Sequence, residues 1–142
     1  MIERTLAIIK PDAVEKKAAG KILDMILCDG FSVLGMKYTR ISGEQAGSFY
    51  EVHKERPFYS ALVSYMSSGP VVVIALEKEN AIADYRRLIG NTNPLKADEG
   101  TVRKLFGTNI EANAVHGSDS VENGAIEIAF FFSKSELVGN RK

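Results

Sequence analysis

Val71-Val72-Val73-Ile74-Ala75-Leu76 is a near-continuous apolar run of strand length. It reads as a strand covered on both faces, because a half-exposed strand would alternate apolar with polar residues. Gly69-Pro70 closes the element before it, a helix marked by Leu62, Val63 and Met66. Asn80 can cap the helix after it, which runs to Ile89 with Gly90 at its end. Further back, Ser42-Gly43-Glu44-Gln45 is a capping-box pattern. It opens a helix carrying Ala46, Phe49, Tyr50 and His53 until Pro57 breaks it. Phe31 to Arg40 reads as a strand, and Ile22, Met25 and Ile26 recur at helical spacing ahead of Gly30. Thr5-Leu6-Ala7-Ile8-Ile9 reads as a buried first strand, stopped by Pro11. Forward of Gly90, a loop rich in Asn, Pro, Asp and Gly spans Asn91 to Gly100. Thr101 to Phe106 then looks like a short helix and Ala112 to His116 a last strand. Ser120 or Asp119 caps a helix carrying Ile126, Ala129 and Phe130.

Strand, helix, strand, helices, strand, helix, strand, helix is the order of an α+β, ferredoxin-like βαββαβ arrangement. The expected architecture is a four-stranded antiparallel sheet with helices on one face, in a single domain over residues 1–142.

The 142 residues are enough to bury a core without metal or disulfide staples. One cysteine, Cys28, rules out an intrachain disulfide and fits a reducing compartment, so a cytoplasmic location is expected. No signal peptide or membrane span is visible, since Asp12 and Glu15 follow the N-terminus closely. With 18 basic and 18 acidic residues the net charge is zero, which argues against specific nucleic-acid binding. It leaves room for a small anion held by a few convergent arginines.

Neither G-x-x-x-x-G-K-[ST] nor G-x-G-x-x-G occurs, so a backbone phosphate cradle is not expected and side chains must do that work. The sequence has two histidines. His116 lies in Asn113-Ala114-Val115-His116-Gly117-Ser118-Asp119-Ser120, and a neutral imidazole there could act as a nucleophile. Its second nitrogen needs an acceptor, and Glu127 is the candidate, two turns into the next helix on the face of Ser120 and Gly124. Lys10, in Lys10-Pro11-Asp12 after the first strand, is placed to meet a ligand at the sheet edge. Arg86, Thr92 and Arg103 suit phosphate oxygens, because guanidinium forks bind them bidentately. Tyr50 either packs or orients the histidine through its hydroxyl. Phe58 and Leu62 either line a base-stacking slot or belong to the core, and Asn113 either bonds a ribose hydroxyl or makes a turn. Singly, each residue has an ordinary explanation: a satisfied loop histidine, a solvated glutamate, a surface arginine.

Together they carry a resemblance. Asn113 to Ser120 is similar to the N-x-x-H-G-S-D signature of nucleoside diphosphate kinases. Four further segments match in order: Glu3 to Asp12, His53-Lys54-Glu55-Arg56-Pro57-Phe58, Ser68-Gly69-Pro70-Val71 and Thr92-Asn93-Pro94. The resemblance implies a γ-phosphoryl transfer from a nucleoside triphosphate, mainly ATP, to a nucleoside diphosphate, in ping-pong fashion through a phosphohistidine on His116. It implies that Glu127 and Tyr50 position the ring, with Ser118 bonding Glu127. Lys10 and Asn113 would hold sugar hydroxyls, with Lys10 also touching the transferred phosphate. Arg86, Thr92 and Arg103 would bind phosphates, and His53 would approach them. Phe58 would stack on the base, with Leu62 and Ile110 lining that slot. Mg2+ would be held mainly through nucleotide phosphates rather than by protein ligands. Stacking reads no base edge, so purines and pyrimidines, ribose and deoxyribose are all expected to serve.

The family resemblance also implies a homo-oligomer, a tetramer or a hexamer built from dimers, with the Asn91–Gly100 loop and the Ser133–Lys142 segment shaping its contacts. The chain departs from common family patterns at Tyr85, Tyr59 and Asn91, which puts most weight on the placement of Arg86 and Thr92. A non-catalytic nucleotide-binding protein or a phosphohistidine relay are the rival readings. Against the relay, Gly117 and the capping residues place His116 outside a helix, whereas relay histidines sit mid-helix.

Overall fold

The computed structural model describes residues 1–138 of the chain. Residues 139–142, the end of the segment expected to shape assembly contacts and of the domain expected over 1–142, lie outside the described residues. Four strands, β1 (Ile2–Ile9), β2 (Ser32–Arg40), β3 (Pro70–Glu79) and β4 (Val115–Gly117), form one sheet in the order β2-β3-β1-β4. Every pairing is antiparallel, with Leu6 opposite Ala75 and Ile8 opposite His116. This is the four-stranded ferredoxin-like sheet expected from the element order.

The apolar run in β3 shows why both faces are covered. Val72, Ile74 and Leu76 point into one core with Ala7 and Ile9, while Val71, Val73 and Ala75 point into another with Leu6 and Ile8. Successive strand residues face opposite sides, so the run fills two cores at once. The first core is closed by α1 (Pro11–Glu15), α2 (Ala19–Cys28), α5 (Ala81–Ile89) and α6 (Val102–Phe106). The second is closed by α3 (Gly43–Phe49), α4 (Tyr59–Met66) and α7 (Val121–Phe131). Helices therefore lie on both faces, which corrects the expectation of one helical face.

Local signals fared unevenly. The capping box at α3 is complete: Gln45 N–H donates to Ser42 Oγ and Ser42 N–H to Gln45 Oε1, each at 3.0 Å. That helix ends at Phe49, before Pro57, and His53 falls in a 3-10 turn, Glu51–His53. Nothing from Glu51 to Phe58 is buried, so no packed face sustains the helix there. Asn80 does not cap α5 with its side chain; it adopts a left-handed conformation, φ 54. Glu3 on β1 supplies a helix-end acceptor instead, taking the Ile82 N–H at 3.1 Å. Ser120, rather than Asp119, accepts the Asn123 N–H at 3.0 Å and caps α7.

α7 carries Ile126, Ala129 and Phe130 as expected, but the residues it buries are Gly124 and Ile128, and Ile126 is 67% exposed. The physical reason is Gly124. A Cβ there would lie 2.5 Å from the Arg4 carbonyl oxygen, so only glycine lets this face of the helix rest on β1. That approach brings Glu127 over β4.

Candidate active site

The ends of β1 and β4, the loop after α5, and the segment around α3 and α4 enclose a cleft of about 620 Å³. Lys10, Tyr50, Phe58, Leu62, Arg86, Thr92, Arg103, Ile110, Asn113, His116 and Glu127 all line it, scattered as they are along the sequence. Ser118, the remaining expected residue, lies behind Glu127.

His116 sits on β4, the short edge strand. Its Nε2 lies 2.9 Å from Glu127 Oε1, and the Ser118 hydroxyl donates to the same oxygen at 2.8 Å. Ser118 is itself anchored, because its Oγ accepts the Leu6 N–H at 3.0 Å. A carboxylate only accepts, so the proton of a neutral imidazole belongs on Nε2, leaving the lone pair on Nδ1. Gly117 is demanded by packing: a Cβ there would come within 2.8 Å of the Tyr85 ring, which is fully buried beneath. The Tyr85 hydroxyl is buried and finds no hydrogen-bond partner among the described residues.

Three cationic side chains enter the cleft in different states. Lys10 is buried, and its Nζ donates to Asn113 Oδ1 at 2.8 Å. Burial, and then the Arg103 charge, hold its ammonium down to about 8. Arg103 is also buried and is held to about 10 chiefly by that burial. Its Nε, Nη1 and Nη2 donate to the carbonyls of Asn113, Gly90 and Val115 at 3.2, 3.0 and 2.8 Å. A guanidinium has five N–H donors, so two remain for a ligand. Arg86 is exposed and reaches the carbonyls of Gly117 and Ser118 at 3.4 and 3.3 Å. Asn113 Nδ2 donates to the Thr92 carbonyl at 3.0 Å and so ties the Thr92 loop to Lys10.

The other end of the cleft is apolar. Phe58, 47% exposed, stands with Leu62, Ile110 and Val52 around it, and His53 packs 5.7 Å from the Phe58 ring. Tyr50 meets the imidazole edge-on with centroids 6.4 Å apart; no hydrogen bond joins its hydroxyl to His116 among the described residues. Burial and the Glu127 charge push that phenol well above its ordinary range.

Phe49 belongs to the site and was not expected there. Its ring stands 5.6 Å from the imidazole and also contacts Phe130 and Phe131 at 5.4 and 5.1 Å. In sequence it reads only as a residue of an amphipathic helix. Asp12 is the second surprise, for its carboxylate accepts the Ala114 N–H at 3.1 Å, two residues before His116. Chemically, a cationic pocket beside a tethered imidazole, with an apolar slot at its far end, suits a ligand having a phosphate chain and a flat ring.

Comparison with known proteins agrees with this. Residues 3–137 match the family model of nucleoside diphosphate kinase. The chain is 58% identical to the nucleoside diphosphate kinase of Chlorobium limicola, over 96% of this chain and 98% of that one. It is 55% identical to that of Pelobacter propionicus, over 96% and 100%. The solved structure of the Aquifex aeolicus nucleoside diphosphate kinase superposes with a TM-score of 0.95 at 49% identity, covering 97% of this chain and 100% of that one. The Halobacterium salinarum nucleoside diphosphate kinase, solved in complex with CDP, gives 0.93 at 35% identity, covering 100% and 95%.

Proposed function

This chain belongs to the nucleoside diphosphate kinase family and transfers phosphoryl groups between nucleotides, and from that premise we propose that it works in a ping-pong cycle through a phosphohistidine on His116. The observation that supports this most is the 2.9 Å contact between His116 Nε2 and Glu127, on a ring that lines the cleft.

In the first half, Nδ1 bonds to the γ-phosphorus of a nucleoside triphosphate, mainly ATP, as the bond from that phosphorus to the bridging oxygen breaks. The electron pair leaves with the diphosphate, and the ring becomes an Nε2-protonated cation facing Glu127. The second half runs the same step backward onto another nucleoside diphosphate. Arg86, Thr92, Arg103 and Lys10 hold the phosphates, where positioning and charge neutralisation supply most of the rate. Lys10 and Asn113 also reach the sugar hydroxyls, while His53, expected to approach the phosphates, stands against Phe58 at the base end of the cleft. Phe58 stacks on the base between Leu62 and Ile110, which favours breadth over base reading. Ser118 fixes Glu127. Tyr50 limits the ring by packing against it.

Lys10, Arg86, Arg103 and Thr92 give the cleft a donor set for phosphate oxygens, beside the carboxylates of Glu111, Asp119 and Glu127. We therefore place Mg2+ on the nucleotide's phosphates, where it would neutralise charge as the phosphoryl group moves. The family match over residues 3–137 supports taking the whole chain, 1–142, as one kinase domain. Assembly into a tetramer or hexamer built from dimers is supported by β2, an edge strand with Met36 and Tyr38 exposed. The lone Cys28 supports a cytoplasmic setting.

The test is a chase. Protein mixed with γ-labelled ATP should take up acid-labile, base-stable label that GDP then removes as GTP, and His116→Ala should take up none. Normal transfer by His116→Ala would refute the histidine mechanism, and label that no diphosphate removes would favour a relay.

A further inference from the structure

We propose that Asp12 is a positioning residue that locks the backbone ahead of His116, and that Tyr65 ties this lock to the helix bearing the base slot. The inference rests on the reading of His116 as nucleophile. Asp12 does not itself line the cleft.

Ala114 is fully buried and has φ 78, a region L side chains rarely adopt. The Val115 N–H donates to the Asn113 carbonyl at 2.9 Å, closing a three-residue turn around Ala114. Such a turn persists only where its surroundings over-determine it. Here both polar groups of Ala114 are taken by the segment after β1. Its N–H goes to Asp12 Oδ2 at 3.1 Å, and its carbonyl accepts the Lys10 N–H at 2.8 Å. On one side of the turn stands Asn113, which bridges Lys10 and Thr92; on the other, Val115 leads directly to His116. The turn therefore sets the spacing between the phosphate and sugar contacts and the ring.

The other carboxylate oxygen reaches α4. Tyr65 donates its hydroxyl to Asp12 Oδ1 and accepts the Asp12 N–H at 3.0 Å. Leu62 lies one turn earlier on α4, and Phe58 precedes its first residue. One carboxylate thus joins the turn before the nucleophile to the helix carrying the slot. Burial, and then the bond to Asp12, keep the Tyr65 phenol protonated and hence a donor.

Single-turnover phosphorylation of His116 across ATP concentrations tests the proposal, giving a maximal rate and a half-saturating concentration. With Asp12→Ala the maximal rate should fall about 10- to 100-fold while half-saturation shifts less than about threefold. Asp12→Asn keeps an acceptor for Ala114 and should recover most of the rate. In an Ala114→Gly background, where positive φ carries no strain, the loss from Asp12→Ala should shrink at least about threefold. An unchanged rate in Asp12→Ala, or an equal loss in both backgrounds, would overturn the lock. Should Asp12→Ala not fold, Tyr65→Phe decides: the lock requires a rate at least about threefold lower, and an unchanged rate overturns it. If the unsubstituted protein takes no phosphoryl group at His116, the proposed function fails instead.

Discussion

Replacing Glu127 with Gln separates the charge of this side chain from its shape. Glu127 Oε1 receives His116 Nε2 at 2.9 Å and the Ser118 hydroxyl at 2.8 Å. A glutamine can offer the same oxygen to both donors, so the geometry survives and only the charge is lost. While the imidazole is neutral that loss matters little. Once Nδ1 holds the phosphoryl group the ring is cationic, and the carboxylate faces a full charge. Two unit charges 4 Å apart near a protein surface attract by about 4 kcal/mol at an effective dielectric of 20. Both side chains keep some exposure, 16% for His116 and 21% for Glu127, so water screens part of this. The net worth of a charged hydrogen bond, about 1.5–3 kcal/mol, is the better guide. Through the transition-state relation this is a rate loss of about 10- to 160-fold. Single-turnover phosphorylation at saturating ATP, read by rapid quench, measures it, with thermal melts confirming that the variant is folded. A folded Glu127→Gln protein phosphorylated within threefold of the unsubstituted rate would refute the reasoning. Glu127 would then orient the ring without stabilising its charge.

Two other outcomes follow from buried groups. Lys10 is held at about 8 against an ordinary 10.5, so it is uncharged above about pH 8 in the free enzyme. Between those values the folded state binds fewer protons than the unfolded one, so this group's unfavourable effect on stability, full below pH 8, is relieved as pH rises through the window. Nucleotide phosphates restore the ammonium; calorimetry at pH 8.5 in two buffers of different ionisation enthalpy should show proton uptake on binding, and equal heats would count against it. Tyr85→Phe removes a buried hydroxyl with no partner among the described residues and should stabilise the fold by about 1 kcal/mol, a rise of about 2–4 °C in Tm. A lower Tm would mean that the hydroxyl has a partner.

What the sequence reveals of this protein is what local chemistry decides. The β3 run is apolar at consecutive positions because each residue meets a core, and that is visible in one dimension. The Ser42–Gln45 capping box is a local exchange of two hydrogen bonds, equally legible. The α7 face is not, because Ile126 and Phe130 look like core residues while the close approach depends on Gly124 meeting the Arg4 carbonyl across the sheet. Asn80 looks like a cap, but the acceptor comes from Glu3, 79 residues before the Ile82 N–H that it takes. At the site, His116, Glu127 and the basic residues are marked by type and spacing, and a resemblance gives them roles. Phe49 and Asp12 escape because their contacts with the imidazole ring and with Ala114 are made only once α3, β1 and β4 have come together. The positive φ of Ala114 carries no sequence mark at all, since alanine gives no hint of it.

The most direct test is where the phosphoryl group sits. Protein labelled with 15N-histidine, phosphorylated with ATP and freed of ADP, can be read by NMR for phosphorus–nitrogen coupling at each ring nitrogen. The Glu127 contact at Nε2 predicts one phosphoryl group per chain, on Nδ1 of His116. Phosphorus on Nε2, on His53, or on neither histidine would contradict it.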